Sequence, residues 1–253
     1  MIVDVHCHLT YEPINKDIDN IIERAKQNNV VAIINCGTEA KSNKESLELA
    51  KKYSVVKAAL GFYPTYCEEV SEEEFDKELN FIEKSKDKIT ALSEIGLDYK
   101  NPDTNKEKQK RCFEKFIQLG EKIKKPLIIH SRNAELDVIE MLESSKNKAI
   151  VMHCFSGRKH LINRIIGNNW YFSIPCTIVK LEHFQNIVKL TDNILTETDA
   201  PFLSPFKDKP NEPSFITETI KKIAGVKNIN KEEVEETVYK NYQKLFKIVK
   251  FIK

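Results

Sequence analysis

The sequence predicts a single (β/α)8 TIM barrel that spans residues 1–253. Apolar runs rich in β-branched residues alternate with segments of helical periodicity, which is typical of parallel strands joined by helices. The chain of 253 residues has the length of one such barrel, and no low-complexity linker divides it. The predicted strands lie near residues 2–9, 30–37, 55–62, 90–97, 126–131, 149–154, 170–175 and 194–198.

The segments between these runs carry apolar residues at helical spacing. Residues 18–25 show this spacing in the first such segment. Residues 231–252 predict a long amphipathic helix at the end of the chain, with Phe246 and Phe251 in the core. The proline-rich stretch 201–213 is interpreted as a long loop after the eighth strand.

Composition limits the class of protein. Lys and Arg number 40 and Asp and Glu number 38, so the formal net charge is only +2 and a polybasic nucleic-acid clamp is excluded. The six cysteines are dispersed without a Cys-x-x-Cys pair, which indicates reduced thiols. No signal peptide and no membrane span are evident, so the sequence predicts a cytoplasmic protein without an obligate protein partner.

Two histidines lie one residue apart in the first apolar run. On a strand, His6 and His8 would project from the same face. Neutral imidazole is the commonest protein ligand for divalent transition metals, so the pair can be half of a metal site. The alternative is one hydrogen-bonded core histidine and one surface histidine.

Further candidate ligands follow later apolar runs. Glu94, His130, His153 and Asp199 each lie where a predicted strand ends. The carboxyl ends of barrel strands meet at one mouth, so these four side chains and the histidine pair are expected to converge there. Such a set is sufficient for two divalent ions about 3.5–4 Å apart. A structural network of buried ion pairs is the alternative.

Seven short stretches together carry a family resemblance. They are residues 4–8 (DVHCH), 93–99 (SEIGLDY), 126–132 (PLIIHSR), 153–157 (HCFSG), 197–203 (ETDAPFL), 211–213 (NEP) and 241–246 (NYQKLF). With these motifs in the family's order, nearly the whole chain resembles the TatD-type metal-dependent deoxyribonucleases, which belong to the amidohydrolase-like barrels.

The resemblance implies a metal centre and a reaction. It implies two divalent ions per chain (Zn, Mn, Mg or Co), with Glu94 as the bridging ligand. Water on such an ion has its pKa lowered to about 7, so hydroxide can attack phosphorus while Asp199 accepts the proton. The implied activity is phosphodiester hydrolysis of DNA with exonuclease-type action. The implied ligands are His6, His8, Glu94, His130, His153 and Asp199.

Two residues near the predicted mouth are candidates for substrate binding. Tyr63 stands where the family commonly has the histidine of a Gly-x-His-Pro segment. Its phenol can donate a hydrogen bond to a phosphate oxygen, or its ring can pack at the mouth. Arg132 can clamp a phosphate with its guanidinium, or it can form a salt bridge with Glu135 or Asp137.

Two further residues have predicted roles. Asp98 has the strand parity of Glu94 and can orient a ligand histidine, or it can cap a loop or helix. Arg158 follows the sixth strand, where a nucleotide can approach, although a plain turn is equally compatible.

Substrates other than DNA are also compatible with the sequence. RNA or a small phosphodiester can replace DNA, and the same centre can serve a small-molecule or D-aminoacyl-tRNA ester hydrolase, since one barrel supports many chemistries. A silent binding protein is disfavoured because the ligand set is complete.

Overall fold

The structure is a computed structural model that describes residues 1–247. Within these residues, eight strands form one sheet in the order β1 to β8, and helices follow the strands along the chain. This is the topology of a (β/α)8 barrel, so the predicted fold class is confirmed. The strands are β1 (Ile2–Cys7), β2 (Val30–Cys36), β3 (Val56–Leu60), β4 (Ala91–Asp98), β5 (Leu127–Arg132), β6 (Ile150–His153), β7 (Tyr171–Ile174) and β8 (Ile194–Thr196).

The helices are α1 (Ile18–Gln27), α2 (Ala40–Lys52), α3 (Tyr66–Glu69), α4 (Glu72–Lys84), α5 (Lys106–Ile123), α6 (Glu135–Glu143), α7 (Lys159–Gly167), α8 (Glu182–Leu190), α9 (Ile216–Lys227) and α10 (Lys231–Leu245). Most of them bury an apolar stripe and expose charged faces, as their periodicity predicts. Helix α2 differs, since its buried side chains are the polar Ser42, Asn43 and Ser46.

The predicted helix over residues 231–252 is described only as far as residue 247, and residues 248–252 lie outside the described residues. Helix α10 ends at Leu245, and Lys247 adopts a left-handed backbone with φ of 51° that stops a helix. Phe246 is buried, in agreement with its predicted core position. Phe251 lies outside the described residues.

The chain divides into two compact units. The first comprises Met1–Ile34 and Ser173–Lys253. In it, the segment that follows β8 runs beside the end of β1, where the backbone N–H of Asp199 donates to the carbonyl of His6 at 2.9 Å. The N–H of His8 donates in turn to the carbonyl of Ala200 at 2.7 Å. Residues distant in sequence are therefore fixed side by side.

The second unit, Asn35–Phe172, contains the parallel pairs from β3 to β6. The register of β4 against β5 shifts between Leu92 and Ile95, so Glu94 lies at an irregularity that re-aims its side chain. Gly96 allows the backbones of β4 and β5 to approach closely beside Glu94. Its φ is 143°, and a Cβ there would lie 1.9 Å from the carbonyl oxygen of His130.

Burial accounts for the cysteines of the described chain. None of the six cysteines in the described residues forms a disulfide, and all except Cys154 are buried. Within residues 1–247, no helix combines the length and apolar character needed to cross a membrane. The single-domain boundary of 1–253 stays a prediction.

Candidate metal centre

The first cluster of candidate ligands consists of His6, His8 and Asp199, here called the β1/β8 cluster. Strand β1 ends at Cys7 and β8 at Thr196, so His8 and Asp199 follow their strands rather than lie in them. Asp199 has a left-handed backbone with φ of 55°, a conformation that aspartate tolerates better than most residues. This backbone, with the hydrogen bonds to β1, directs the Asp199 carboxylate to the histidine pair.

Three atoms of the β1/β8 cluster form a triangle. The Nε2 atoms of His6 and His8 lie 3.3 Å apart, and Asp199 Oδ1 lies 3.3 Å from His8 Nε2 and 3.7 Å from His6 Nε2. Donor atoms at about 2.1 Å from one ion would lie about 3.4 Å apart in tetrahedral coordination. The spacing and the donor types therefore fit one divalent ion.

A buried carboxyl group lies beneath this cluster. Asp4 accepts hydrogen bonds from the backbone N–H of Thr198 at 3.0 Å, from the Thr198 hydroxyl at 2.5 Å and from the N–H of His6 at 3.3 Å. Burial raises the pKa of Asp4 to about 8, although these hydrogen bonds favour the carboxylate. Asp4 thus joins the backbones that carry His6 and Asp199.

We expect Asp4→Ala to lower the free energy of unfolding by about 2–4 kcal/mol, because both Thr198 donors would be buried without an acceptor. Asp4→Asn keeps the side-chain shape and one carbonyl acceptor, so its loss should be less than half as large. Urea unfolding of the metal-stripped proteins measures both. An unchanged midpoint for Asp4→Ala would show that Asp4 does not hold the two segments together.

The second cluster, here called the β4/β5 cluster, consists of Glu94, Asp98 and His130. All three side chains are buried. His130 lies between two carboxylates, with Nδ1 at 3.0 Å from Glu94 Oε1 and Nε2 at 3.1 Å from Asp98 Oδ2. Asp98 therefore contacts the histidine that sequence reasoning predicted it to orient.

The two ring nitrogens of His130 differ in their partners. Nε2 has hydrogen-bond geometry towards Asp98. The approach of Glu94 to Nδ1 lacks that geometry, so among the described residues Nδ1 is a buried nitrogen without a hydrogen-bond partner. If Nε2 carries the proton, the Nδ1 lone pair faces a carboxylate, an arrangement that suits a shared cation.

The electrostatics of His130 favour positive charge. Burial by itself would lower the pKa of His130, but the hydrogen bond with Asp98 and the proximity of Glu94 outweigh burial and raise it to about 9. For Asp98, burial acts to raise the pKa, yet His130 and Tyr63 hold it well below its usual range. A proton or a metal ion can supply the positive charge that these carboxylates favour.

The candidate substrate residues Tyr63 and Arg132 both contact Asp98. The Tyr63 hydroxyl donates to Asp98 Oδ2 at 2.6 Å, and its ring lies edge-on to that of His130 with centroids 4.9 Å apart. Burial and the bond to Asp98 raise the pKa of Tyr63, so the phenol stays protonated. Arg132 Nη1 lies 3.8 Å from Asp98 Oδ2, with half of its side chain exposed.

The expected salt-bridge partners of Arg132 have other contacts. Asp137 pairs with Lys110 at 2.7 Å, and Glu135 Oε1 accepts from the Ser156 hydroxyl at 3.3 Å. The ion pair found for Arg132 is instead with Asp98, which sequence parity alone did not indicate.

The remaining candidates lie near β6. His153 ends that strand and is buried, and its ring lies 6.2 Å from the ring of His130 between centroids. Arg158 is exposed and directly precedes α7. Its contact with substrate stays a prediction.

Sequence reasoning missed two positioning residues. Gln109 is buried on α5, where its amide accepts from the N–H of Asp98 at 2.8 Å and donates to the carbonyl of Asp98 at 3.0 Å. The sequence did contain an indication of this role. Gln109 is a polar residue at the helical spacing of the apolar Cys112, Phe113 and Phe116, which predicts a buried position. Asp4 had a signal too, since it shares the strand parity of His6 and His8.

Comparison with known proteins identifies the family. The sequence profile described as TatD related DNase matches residues 3–247. The chain belongs to the TatD family. It is therefore a metal-dependent hydrolase, and the predicted family and enzyme class are confirmed.

Relatives of this TatD protein cover nearly all of both chains. An uncharacterized metal-dependent hydrolase of Methanocaldococcus jannaschii is 36% identical over 248 residues, covering 97% of this chain and 96% of the relative. Deoxyribonuclease TATDN3 of Homo sapiens is 33% identical over 259 residues, covering 97% and 94%. The crystal structure of YjjV, a TatD homologue from Escherichia coli, superposes with a TM-score of 0.91 at 26% identity and covers 98% of each chain.

Proposed function

We propose that this TatD protein hydrolyses phosphodiester bonds of DNA and releases nucleotides from a strand end. Two divalent ions would be held by His6, His8, Glu94, His130, His153 and Asp199. The observation that carries the proposal is the nitrogen-to-nitrogen contact of His6 and His8 beside the Asp199 carboxylate. The human relative named a deoxyribonuclease supports the choice of substrate.

The donor set supports divalent metal rather than a purely structural ion network. Imidazole nitrogens with carboxylate oxygens suit Zn, Mn or Co. Mg stays a candidate because the availability of each metal also determines which one occupies the site. Glu94 is proposed as the shared ligand because its carboxylate lies 3.0 Å from Nδ1 of His130. The six proposed ligands lie in or directly after five strands, β1, β4, β5, β6 and β8, and barrel enzymes build their sites at the carboxyl ends of such strands.

The reaction follows from what these side chains can do. When bound, the ions would acidify a water and polarise a phosphoryl oxygen. Asp199 would accept the proton of the attacking water, and its side chain is partly open to solvent. Arg132 offers an exposed guanidinium that can pair with a non-bridging phosphate oxygen. Asp98 fixes the His130 ring and limits its rotation.

If Arg132 binds phosphate, Arg132→Lys should raise KM for an oligonucleotide by about tenfold, because lysine cannot form the bidentate contact. KM for a small neutral ester should not change. Arg111→Lys, an exposed arginine of α5, is the matched control and should leave both values unchanged. Equal effects of Arg132→Lys on the two substrates would favour a structural role through Asp98.

A second candidate function is hydrolysis of a small-molecule or D-aminoacyl-tRNA ester. Tyr63 favours it, since the phenol is neutral and its hydroxyl is engaged by Asp98, so that position offers no cation for a phosphate. The same metal ligands would serve this reaction. RNA and small phosphodiesters are further substrates to be tested against DNA.

The decisive assay uses metal-stripped protein to which Mg, Mn, Zn or Co is restored separately. End-labelled single-stranded DNA, the matching RNA, a bis-nitrophenyl phosphodiester and a D-aminoacyl-tRNA are offered in parallel. Metal-dependent release of nucleotides from DNA, abolished by Glu94→Ala, supports the proposal. Hydrolysis of an ester without attack on DNA would overturn it and favour the second function.

We also propose a cytoplasmic location with no obligate protein partner. Five of the six cysteines are buried, and no Cys-x-x-Cys pair or short cysteine-rich segment is present in the sequence, which suits a reducing compartment. Fractionation of cells followed by thiol labelling tests this assignment, and a surface or secreted pool would contradict it.

A further inference from the structure

Two aromatic rings flank the β1/β8 cluster. The ring of Tyr11 stacks on that of His8 with centroids 5.2 Å apart and planes 27° apart. Phe202 lies edge-on to both, with its centroid 6.3 Å from that of His8 and 6.1 Å from that of Tyr11. All three residues belong to the first unit. An aromatic surface therefore lies directly beside a proposed metal ligand.

Phe202 is half exposed, with 50% of its surface open. Backbone hydrogen bonds hold Phe202 in this position. Its N–H donates to the carbonyl of Asp199 at 2.8 Å, and the N–H of Asn211 donates to the carbonyl of the preceding residue, Pro201, at 2.9 Å. The Asn211 side chain also donates to the carbonyl of Thr198 at 2.7 Å. An apolar ring is thus kept in solvent by a well-bonded turn, although burial would be favourable.

We propose that Phe202, backed by Tyr11, is the platform on which the base of the nucleotide being cleaved stacks. This inference rests on the proposed function, and it assigns the substrate class as a base-bearing nucleotide. Each of the four bases has a flat π face, so a phenyl platform binds without sequence preference. Because the Phe202 ring lies beside His8, the phosphate of the stacked nucleotide would lie at the proposed metal centre.

Two lysines of the same loop fit this occupant. Lys207 and Lys209 are exposed a few residues after Phe202, with the exposed Asp208 between them. Positive side chains interleaved with an exposed aromatic ring are typical of surfaces that bind single-stranded nucleic acid. An aliphatic acyl group would gain from the ring but not from the lysines.

The test compares two oligonucleotides that differ only in the terminal nucleotide, which is normal in one and abasic in the other. Phe202→Leu should raise KM about 5- to 100-fold on the normal strand, the range expected for loss of one stacked base. It should leave KM for the abasic strand unchanged. Phe202→Trp should retain wild-type KM, because it keeps an aromatic face.

Phe206 provides the matched control. It is 43% exposed on the same loop, but its ring packs against Phe215 with centroids 4.9 Å apart. Phe206→Leu should therefore not alter KM for either strand. Equal effects of Phe202→Leu on normal and abasic strands, or no effect on either, would overturn the platform.

A binding measurement separates failure of this inference from failure of the proposed function. A terminal 2-aminopurine is used as a fluorescent base, and stacking on Phe202 should quench it in wild-type protein but not in Phe202→Leu. Quenching without hydrolysis would retain the platform and overturn the nuclease function. Hydrolysis with equal quenching by both proteins would retain the function and overturn the platform.

Discussion

Glu94→Gln is expected to remove at least one of the two proposed ions per chain and to reduce phosphodiesterase activity by about 10³-fold or more. The amide has the size of the carboxylate but carries no charge, so it can neither bridge two cations nor balance the charge that they bring. Metal analysis of the reconstituted variant, with circular dichroism to verify folding, measures the effect.

Glu78 supplies the matched control for this experiment. It is also a buried glutamate of the second unit, and it accepts a hydrogen bond from the Asn43 side chain at 2.7 Å. Glu78→Gln removes a buried carboxylate that is not among the proposed ligands, so metal content and turnover should match the wild type. A Glu94→Gln protein that keeps two ions and full turnover would exclude Glu94 as a ligand.

Asp199→Asn should separate metal binding from proton transfer. The asparagine carbonyl oxygen can still face an ion beside His8, so most of the metal should be retained. An amide cannot accept the proton of the attacking water, and kcat should fall about 10²- to 10⁴-fold with a smaller change in KM. Steady-state kinetics of the reconstituted variant, with metal analysis in parallel, provide the measurement.

The pH profile distinguishes a base from a mere ligand. If Asp199 accepts the proton, the acidic limb of the kcat profile should be present in the wild type and absent in Asp199→Asn. Unchanged kcat would rule out this role, whereas complete loss of metal would make Asp199 chiefly a ligand.

The fold was predictable because its signal is local. Alternating apolar runs and helical segments follow from side-chain periodicity, and all eight predicted strands contain the observed ones to within a residue. Strand ends were less predictable. The first run was expected to reach residue 9, yet β1 ends at Cys7, where the chain turns to bond with Ala200. Such ends depend on tertiary hydrogen bonds that periodicity does not encode.

The candidate ligands were also visible in the sequence, since each directly ends or follows an apolar run. Their supporting contacts were not. Asp4 bonds to Thr198 across nearly the whole chain, and Gln109 on α5 holds the backbone of Asp98. The contact of Tyr63 with Asp98 likewise joins the loop after β3 to β4, a pairing that the sequence did not indicate. Pairings of this kind require three-dimensional structure.

The most direct test of the metal centre is anomalous diffraction from crystals of this protein soaked in Mn²⁺. We expect two peaks about 3.5–4 Å apart, one touching His6, His8 and Asp199 and the other touching His130 and His153, with Glu94 bound to both. A folded protein with no peak at these residues, or with manganese bound only elsewhere, would contradict the proposed metal centre.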